Sequence, residues 1–195
     1  MQLAIPSGGF GAYLFDCDGT LADTMPLHYR AWRATLDPLG AEFPEELFYE
    51  LGGTPTARLV EIVAERNGLS LPAAATAQKK SEAFAALLAE ARPIEEVLGF
   101  ARLQIQAGKK VAVVTGGVRW VTDRVLAVIG ARDLFHVVIT SEDVTHGKPA
   151  PDCYLEAARR LGVQSADCLV FEDTRTGIAA ATAAGMQWVL VPRPV

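Results

Sequence analysis

Five short runs of apolar, largely β-branched residues constrain the fold of this chain more than any other feature: Ala12–Phe15, Val111–Thr115, Val137–Thr140, Cys168–Phe171 and Val189–Val191. Each is close to continuously apolar. Runs of that kind suit parallel strands covered on both faces, whereas a half-exposed strand would alternate. Helical patterns follow the middle three. They are Val118–Ile129, then Pro151–Leu161 with a proline near its first turn and Gly162 at its end, then Ile178–Ala184 closed by Gly185. The rhythm predicts an α/β fold, a Rossmann-like doubly wound parallel sheet.

Residues 24–92 interrupt that rhythm and read as helices only. One starts near Pro26 and ends before Gly40, and Phe43–Leu51 is short. Thr56–Asn67 is amphipathic and stops at Gly68, and Pro72–Ala91 is long and alanine-rich. The expected organisation is a core formed by 1–23 and 93–195 with an inserted helical cap, 24–92. Hinges are expected at Ala22-Asp23-Thr24 and Arg92-Pro93.

A chain of 195 residues can bury one sizeable core and a small second lobe. Its net charge is -5, with no long basic run, which argues against nucleic acid or an anionic membrane as the main partner. Cys17, Cys153 and Cys168 show no metal-binding spacing, and their odd number suits reduced thiols in a cytoplasm. The first residues lack the basic patch and apolar stretch of a signal peptide, and no apolar run is long enough to span a membrane. A cytoplasmic monomer is expected.

The expected strand ends carry the chemistry. In open α/β sheets ligands bind outside the carboxyl ends of the strands. Asp16 and Asp18 stand at the first such end, in Phe15-Asp16-Cys17-Asp18-Gly19-Thr20. Two carboxylates that close repel unless a cation or proton lies between them, so they form either a metal seat or an exposed acidic turn. Thr115 and Gly116-Gly117 end the second strand, as a phosphate cradle or a plain strand-to-helix turn. Lys148 follows the third, just before Pro149 and Pro151, which fix the backbone so that the lysine is either held in place or stands as a solvent lysine in a turn. Glu172 and Asp173 end the fourth, as a second acidic pair or, for Asp173 or Thr174, a helix N-cap. Two acidic pairs, a hydroxyl and a lysine at successive strand ends make a complementary set, and the combination favours a site over four unrelated turns.

With these residues in view, the chain resembles the haloacid dehalogenase superfamily. FDCDGTLAD is similar to the family's first motif, Thr115 to its second, Lys148 in GKPAPD to its third and FEDTRTG to its fourth. The helical insert falls where the family's C1-type cap falls. The resemblance implies that Asp16 is a nucleophile forming an aspartyl phosphate and that Asp18 is the general acid/base. It implies that Asp16, the backbone carbonyl of Asp18 and Asp173 hold Mg²⁺, with Glu172 in support, and that Thr115, Gly116 and Lys148 bind the phosphoryl group. An aspartate at position 18 separates phosphatases and phosphomutases from the family's dehalogenases, which lack an acid there.

The stretch FDCDGTLADTMPLHYRAWRATL resembles the beta-phosphoglucomutase-like branch, and implies that His28 and Lys80 of the cap reach substrate. Their alternatives are a packed helix-face histidine and a solvated lysine; Trp32 reads as core. Mutases of the branch carry a cap arginine for a second phosphate, where this chain has Pro55, with Arg58 a turn away. The branch's sugar-phosphate phosphatases are the better match. The expected function is therefore Mg²⁺-dependent hydrolysis of a small phosphorylated metabolite, a sugar phosphate foremost, with a phosphomutase as the alternative.

Overall fold

The computed structural model describes residues 3–194; Met1, Gln2 and Val195, at the ends of the expected core segments, lie outside the described residues. Strands β1 (Ala12–Phe15), β4 (Lys110–Val114), β5 (Val137–Ile139), β6 (Cys168–Glu172) and β7 (Gln187–Leu190) form one sheet in the order β5-β4-β1-β6-β7. Every pairing in it is parallel. The chain winds outward from β1 through β4 to β5, then crosses to β6 and β7 on the other side. The crevice between β1 and β6 is thus the switch point where this architecture places ligands.

The apolar runs are strands because both faces are covered. Tyr13 and Phe15 point into a cluster with Val97, Leu98 and Ala101 of α5 (Glu95–Gln106) and Val121, Val125 and Leu126 of α6 (Arg119–Val128). Ala12 and Leu14 point the other way, against Cys153, Tyr154 and Ala157 of α7 (Asp152–Leu161) and Ala180 and Ala181 of α8 (Arg175–Ala183). This alternation follows from the two-residue period of a strand. Helix α5 lies outside the segments delimited from sequence. Gly99 interrupts its apolar pattern, and the covered face of the sheet supplies what local propensity lacks.

Four α-helices stand between Asp23 and Arg92: α1 (Met25–Leu36), α2 (Glu45–Glu50), α3 (Thr56–Asn67) and α4 (Ala73–Leu87). They carry an apolar cluster of their own, with Trp32, Leu36, Phe43, Phe48, Val60 and Val63. The two expected hinges meet. Ala22–Asp23 (β2) pairs antiparallel with Arg92–Pro93 (β3), so the chain leaves and re-enters side by side. Among the described residues no helix is long and apolar enough to cross a membrane. The three cysteines are free and buried.

Candidate active site

The loop after β1 is built around one carbonyl. Cys17 O accepts the N–H groups of Leu21 and Ala22 at 3.0 and 2.9 Å, turning the chain back over the sheet end. Gly19 sits in that turn at φ +87°, a conformation that favours glycine. A Cβ there would stand 2.2 Å from Asp173 Oδ2, so Gly19 also makes room for a carboxylate from the neighbouring strand.

Asp16, Glu172 and Asp173 meet at the switch point, each offering a carboxylate oxygen within 4.8 Å of the others. Lys148 closes the group from the β5–α7 connection. Its ammonium donates to Asp16 Oδ1 at 2.7 Å, Glu172 Oε1 at 2.5 Å and Val114 O at 3.1 Å. It is 8% exposed, so it is a fixed buried cation and the solvent-turn alternative fails. Burial alone would lower its pKa, but Asp16 and Glu172 outweigh that and hold it well above the usual lysine range. For Glu172, burial raises the pKa, and Lys148 with the Thr174 bonds brings it below the usual range. The balance at the other two acids tips the other way. Burial pushes Asp16 well up despite Lys148, with Glu172 and Asp173 adding to the rise. Burial and the Glu172 charge push Asp173 up to about 7.

Asp18 points elsewhere. Its carboxylate lies outside the three-acid cluster and takes a hydrogen bond from Thr24 Oγ1 at 2.6 Å and a contact from His28 Nε2 at 3.2 Å. On the other side of the imidazole, Lys80 Nζ lies 2.5 Å from Nδ1. An ammonium can only donate, so Nδ1 is the acceptor and the ring proton sits on Nε2, facing Asp18. Burial would raise the Asp18 pKa, but His28, Thr24 and Lys80 outweigh it and hold it at about 2. Burial and the Lys80 charge lower His28, and burial lowers Lys80 to about 8. Lys80 is 5% exposed, against the solvated alternative, while Lys79 beside it is exposed. Trp32 is buried in the insert's own core and lines the cleft as well.

Thr115 Oγ1 accepts the Gly117 N–H at 3.0 Å, so the hydroxyl shapes the turn while lining the same cleft as Gly116. The N-cap of α8 falls to Thr174, whose hydroxyl accepts from the Gly177 N–H at 3.1 Å, which leaves Asp173 to the acidic cluster. A cleft of about 380 Å³ takes in Asp16, Asp18, Thr115, Lys148, His28 and Lys80 together.

Three supporting residues escaped the sequence reading. Tyr154 donates its hydroxyl to Glu172 Oε1 at 3.1 Å. Phe84 stacks on His28, ring centroids 3.7 Å apart and planes 11° apart. Gly177 has no room for a side chain, since a Cβ would stand 1.7 Å from Glu172 Oε1. Only the glycine left a trace in the sequence, close behind the second acidic pair. The other two read as ordinary core aromatics.

The comparisons agree with this geometry. The family model for haloacid dehalogenase-like hydrolases matches residues 10–185. Fructose-1-phosphate phosphatase YqaB of Escherichia coli is 37% identical over 183 residues, covering 92% of this chain and 95% of that protein. Beta-phosphoglucomutase of Bacillus subtilis is 26% identical over 181 residues, 90% of this chain and 80% of that one. Among solved structures, CbbY from Rhodobacter sphaeroides in complex with xylulose-(1,5)bisphosphate superposes with a TM-score of 0.82 at 29% identity, covering 92% of this chain and 84% of that chain. A parallel sheet with its acids at the β1/β6 crevice and a family match over nearly its whole length make this chain a member of the haloacid dehalogenase-like hydrolases.

Proposed function

We propose that the chain is a Mg²⁺-dependent phosphatase of small phosphorylated metabolites, sugar monophosphates foremost, acting through an aspartyl phosphate on Asp16. The observation that carries this reading is the convergence of Asp16, Lys148, Asp18 and Thr115 on one cleft at the sheet's switch point. In this reading 1–23 and 93–195 are the catalytic core and 24–92 is a cap that closes over substrate. A monomer in a reducing cytoplasm is the expected setting.

The acidic cluster fits a hard divalent cation. Its donors are all oxygen, as Mg²⁺ prefers, and Lys148 does not balance their charge. Burial, with the neighbouring carboxylate charges adding to it, raises both Asp16 and Asp173, and a bound cation would offset both causes. Asp16, Asp173 and the backbone carbonyl of Asp18 would hold the ion, with Glu172 behind. Once bound, it would neutralise charge on the phosphoryl oxygens.

The protein groups divide the remaining work. Thr115, Gly116 and Lys148 bind and orient the phosphoryl oxygens. Asp16 attacks phosphorus, the bond to the leaving oxygen breaks, and Asp18 gives that oxygen a proton. Asp18 then takes a proton from water as it attacks the same phosphorus, which frees phosphate and restores Asp16. Placed carboxylates typically contribute ~10²–10⁴-fold to such transfers. As held here Asp18 is an anion, suited to the second step, and it must take up a proton before the first; His28 Nε2–H donates a hydrogen bond that orients it. His28 and Lys80 meet the body of the substrate.

The phosphomutase alternative needs a second phosphate clamp. Pro55 lines the cleft, whereas Arg58 is exposed and donates to Glu61 at 2.8 Å. Among the described residues, Lys80 is the one fixed cation the insert contributes to the cleft walls. That favours a monophosphate and hydrolysis. The test is phosphate release over a panel of phosphorylated sugars with Mg²⁺, for wild type and Asp16→Asn. Loss of turnover in the variant, by roughly 10⁴-fold or more, is expected. Retained turnover would sink the mechanism.

A further inference from the structure

Apart from the His28–Asp18 contact, a second set of contacts joins the insert to the core. Thr176, in the first turn of α8, donates its hydroxyl to Gly52 O at 3.1 Å. Gly53 beside it has φ +79°, and a Cβ there would stand 1.9 Å from Thr176 Oγ1. The loop reaches the core because position 53 carries no side chain. Nearby, the Arg193 guanidinium lies 3.5 Å from the ring centroid of Tyr49. The tail bearing Arg193 is tied to the sheet by Val191 N–H, which donates to Glu172 O at 2.8 Å. Two core side chains from different elements thus grip one stretch of the insert, 49–53. Gly52, Gly53 and Thr54 also form part of the cleft wall, so the grip sets where that wall stands.

The hydroxyl chemistry makes the contact reversible. Thr176 Oγ1 also lies 3.3 Å from Thr174 Oγ1. The Thr174 proton is committed to Glu172 Oε2 at 2.9 Å, so Thr174 can only accept from Thr176. The single Thr176 proton therefore has two acceptors: Gly52 O when the loop is docked, and Thr174 Oγ1 when it is withdrawn. Opening leaves no hydroxyl unpaired, which removes the main cost of breaking a partly buried hydrogen bond.

We propose that Thr176 and Arg193 form a clasp that holds 49–53 against the core and sets substrate affinity by stabilising the closed cleft. Both are positioning residues, outside the groups that touch the reacting atoms. The kinetic half of the test rests on the phosphatase reading; the exchange half does not. A neutral hydrogen bond is worth about threefold to tenfold in an equilibrium, and an exposed cation–π contact about twofold to fivefold.

Thr176→Val, Thr176→Ser and Arg193→Gln would be compared with wild type in two assays. One is steady-state hydrolysis of p-nitrophenyl phosphate with Mg²⁺. The other is amide hydrogen exchange of the 45–56 segment in the free protein. Thr176→Val should lower kcat/KM by about threefold to tenfold, carried by KM, and speed exchange of the segment by a similar factor. Thr176→Ser should restore both. Arg193→Gln, an exposed change that leaves the core intact, should shift both the same way by about twofold to fivefold. Unchanged exchange in both Thr176→Val and Arg193→Gln would overturn the clasp, as would a serine variant that behaves like valine. Absence of phosphatase activity in wild type would count against the phosphatase reading, and exchange alone would then decide the clasp.

Discussion

Replacing Lys80 with methionine should stabilise this protein while disabling it. Lys80 is held between Trp32 and Phe84, 5.5 and 5.0 Å from their ring centroids, and donates to His28. Burial, partly offset by Asp18, lowers its pKa from 10.5 to about 8. Each unit is worth about 1.4 kcal/mol, so the buried charge costs about 3 kcal/mol of stability at pH 7. Methionine removes that cost and fills similar space against the two rings. It forfeits the cation–π contacts, about 0.5–1 kcal/mol each, and part of a hydrogen bond. The net gain is about 1 kcal/mol, or roughly 2–4 °C in Tm for a chain this size.

The pH dependence separates this cause from general repacking. The folded pKa lies below the unfolded one, so between pH 8 and 10.5 the unfolded state binds more protons and wild type gains relative stability. The advantage of Lys80→Met should be full below pH 8 and lost by about pH 10.5. Calorimetric melts of both proteins at pH 7 and pH 10, with phosphatase assays alongside, test it. A variant less stable than wild type at pH 7, or an advantage that does not shrink at pH 10, would refute the reasoning.

Gly177→Ala should be severely disruptive, because its Cβ would stand 1.7 Å from a buried carboxylate oxygen. A loss of about 2–4 kcal/mol in denaturant melts, with a raised Mg²⁺ requirement, is expected. If Asp173 holds the proposed Mg²⁺, metal binding should be pH-dependent. The Asp173 pKa rises on folding from 3.8 to about 7, so without metal it costs stability increasingly as pH climbs through that window. Mg²⁺ should therefore raise Tm more at pH 8 than at pH 5, and an equal or reversed effect would contradict the cluster's charge imbalance. Arg58→Ala should leave kcat/KM within about twofold, since exposed ion pairs outside a cleft contribute little. With β-glucose 1-phosphate and a bisphosphate primer, free phosphate is expected, and glucose 6-phosphate as main product would favour the mutase.

Much of this was legible because strand-end chemistry is local. Asp16 and Asp18 are two residues apart, and the β-branched runs announce their own strands. Lys148 and Asp173 were legible as members of a set, since each alone is an unremarkable loop residue. The burial of Lys80 was undecided, because one charged residue on an alanine-rich helix gives no sign of which way it faces. Tyr154 and Phe84 were invisible as site residues because their roles depend on partners far away, 18 residues for Glu172 and 56 for His28. The clasp at Thr176 was hidden for the same reason: Gly52 is 124 residues away.

The place of β1 in the sheet has a consequence for how the protein is made. The strand that presents Asp16 leaves the ribosome well before its two neighbours, which are built from residues beginning at Lys110 and Cys168. The insert is complete before either of them exists. It can fold around its own apolar cluster while β1 still lacks a partner on both sides. Non-local pairing of this kind is slow, and a bare apolar strand invites aggregation meanwhile. A nascent chain stalled before β6 would carry Asp16 without Glu172 or Asp173, so the proposed activity can appear only once both have been made.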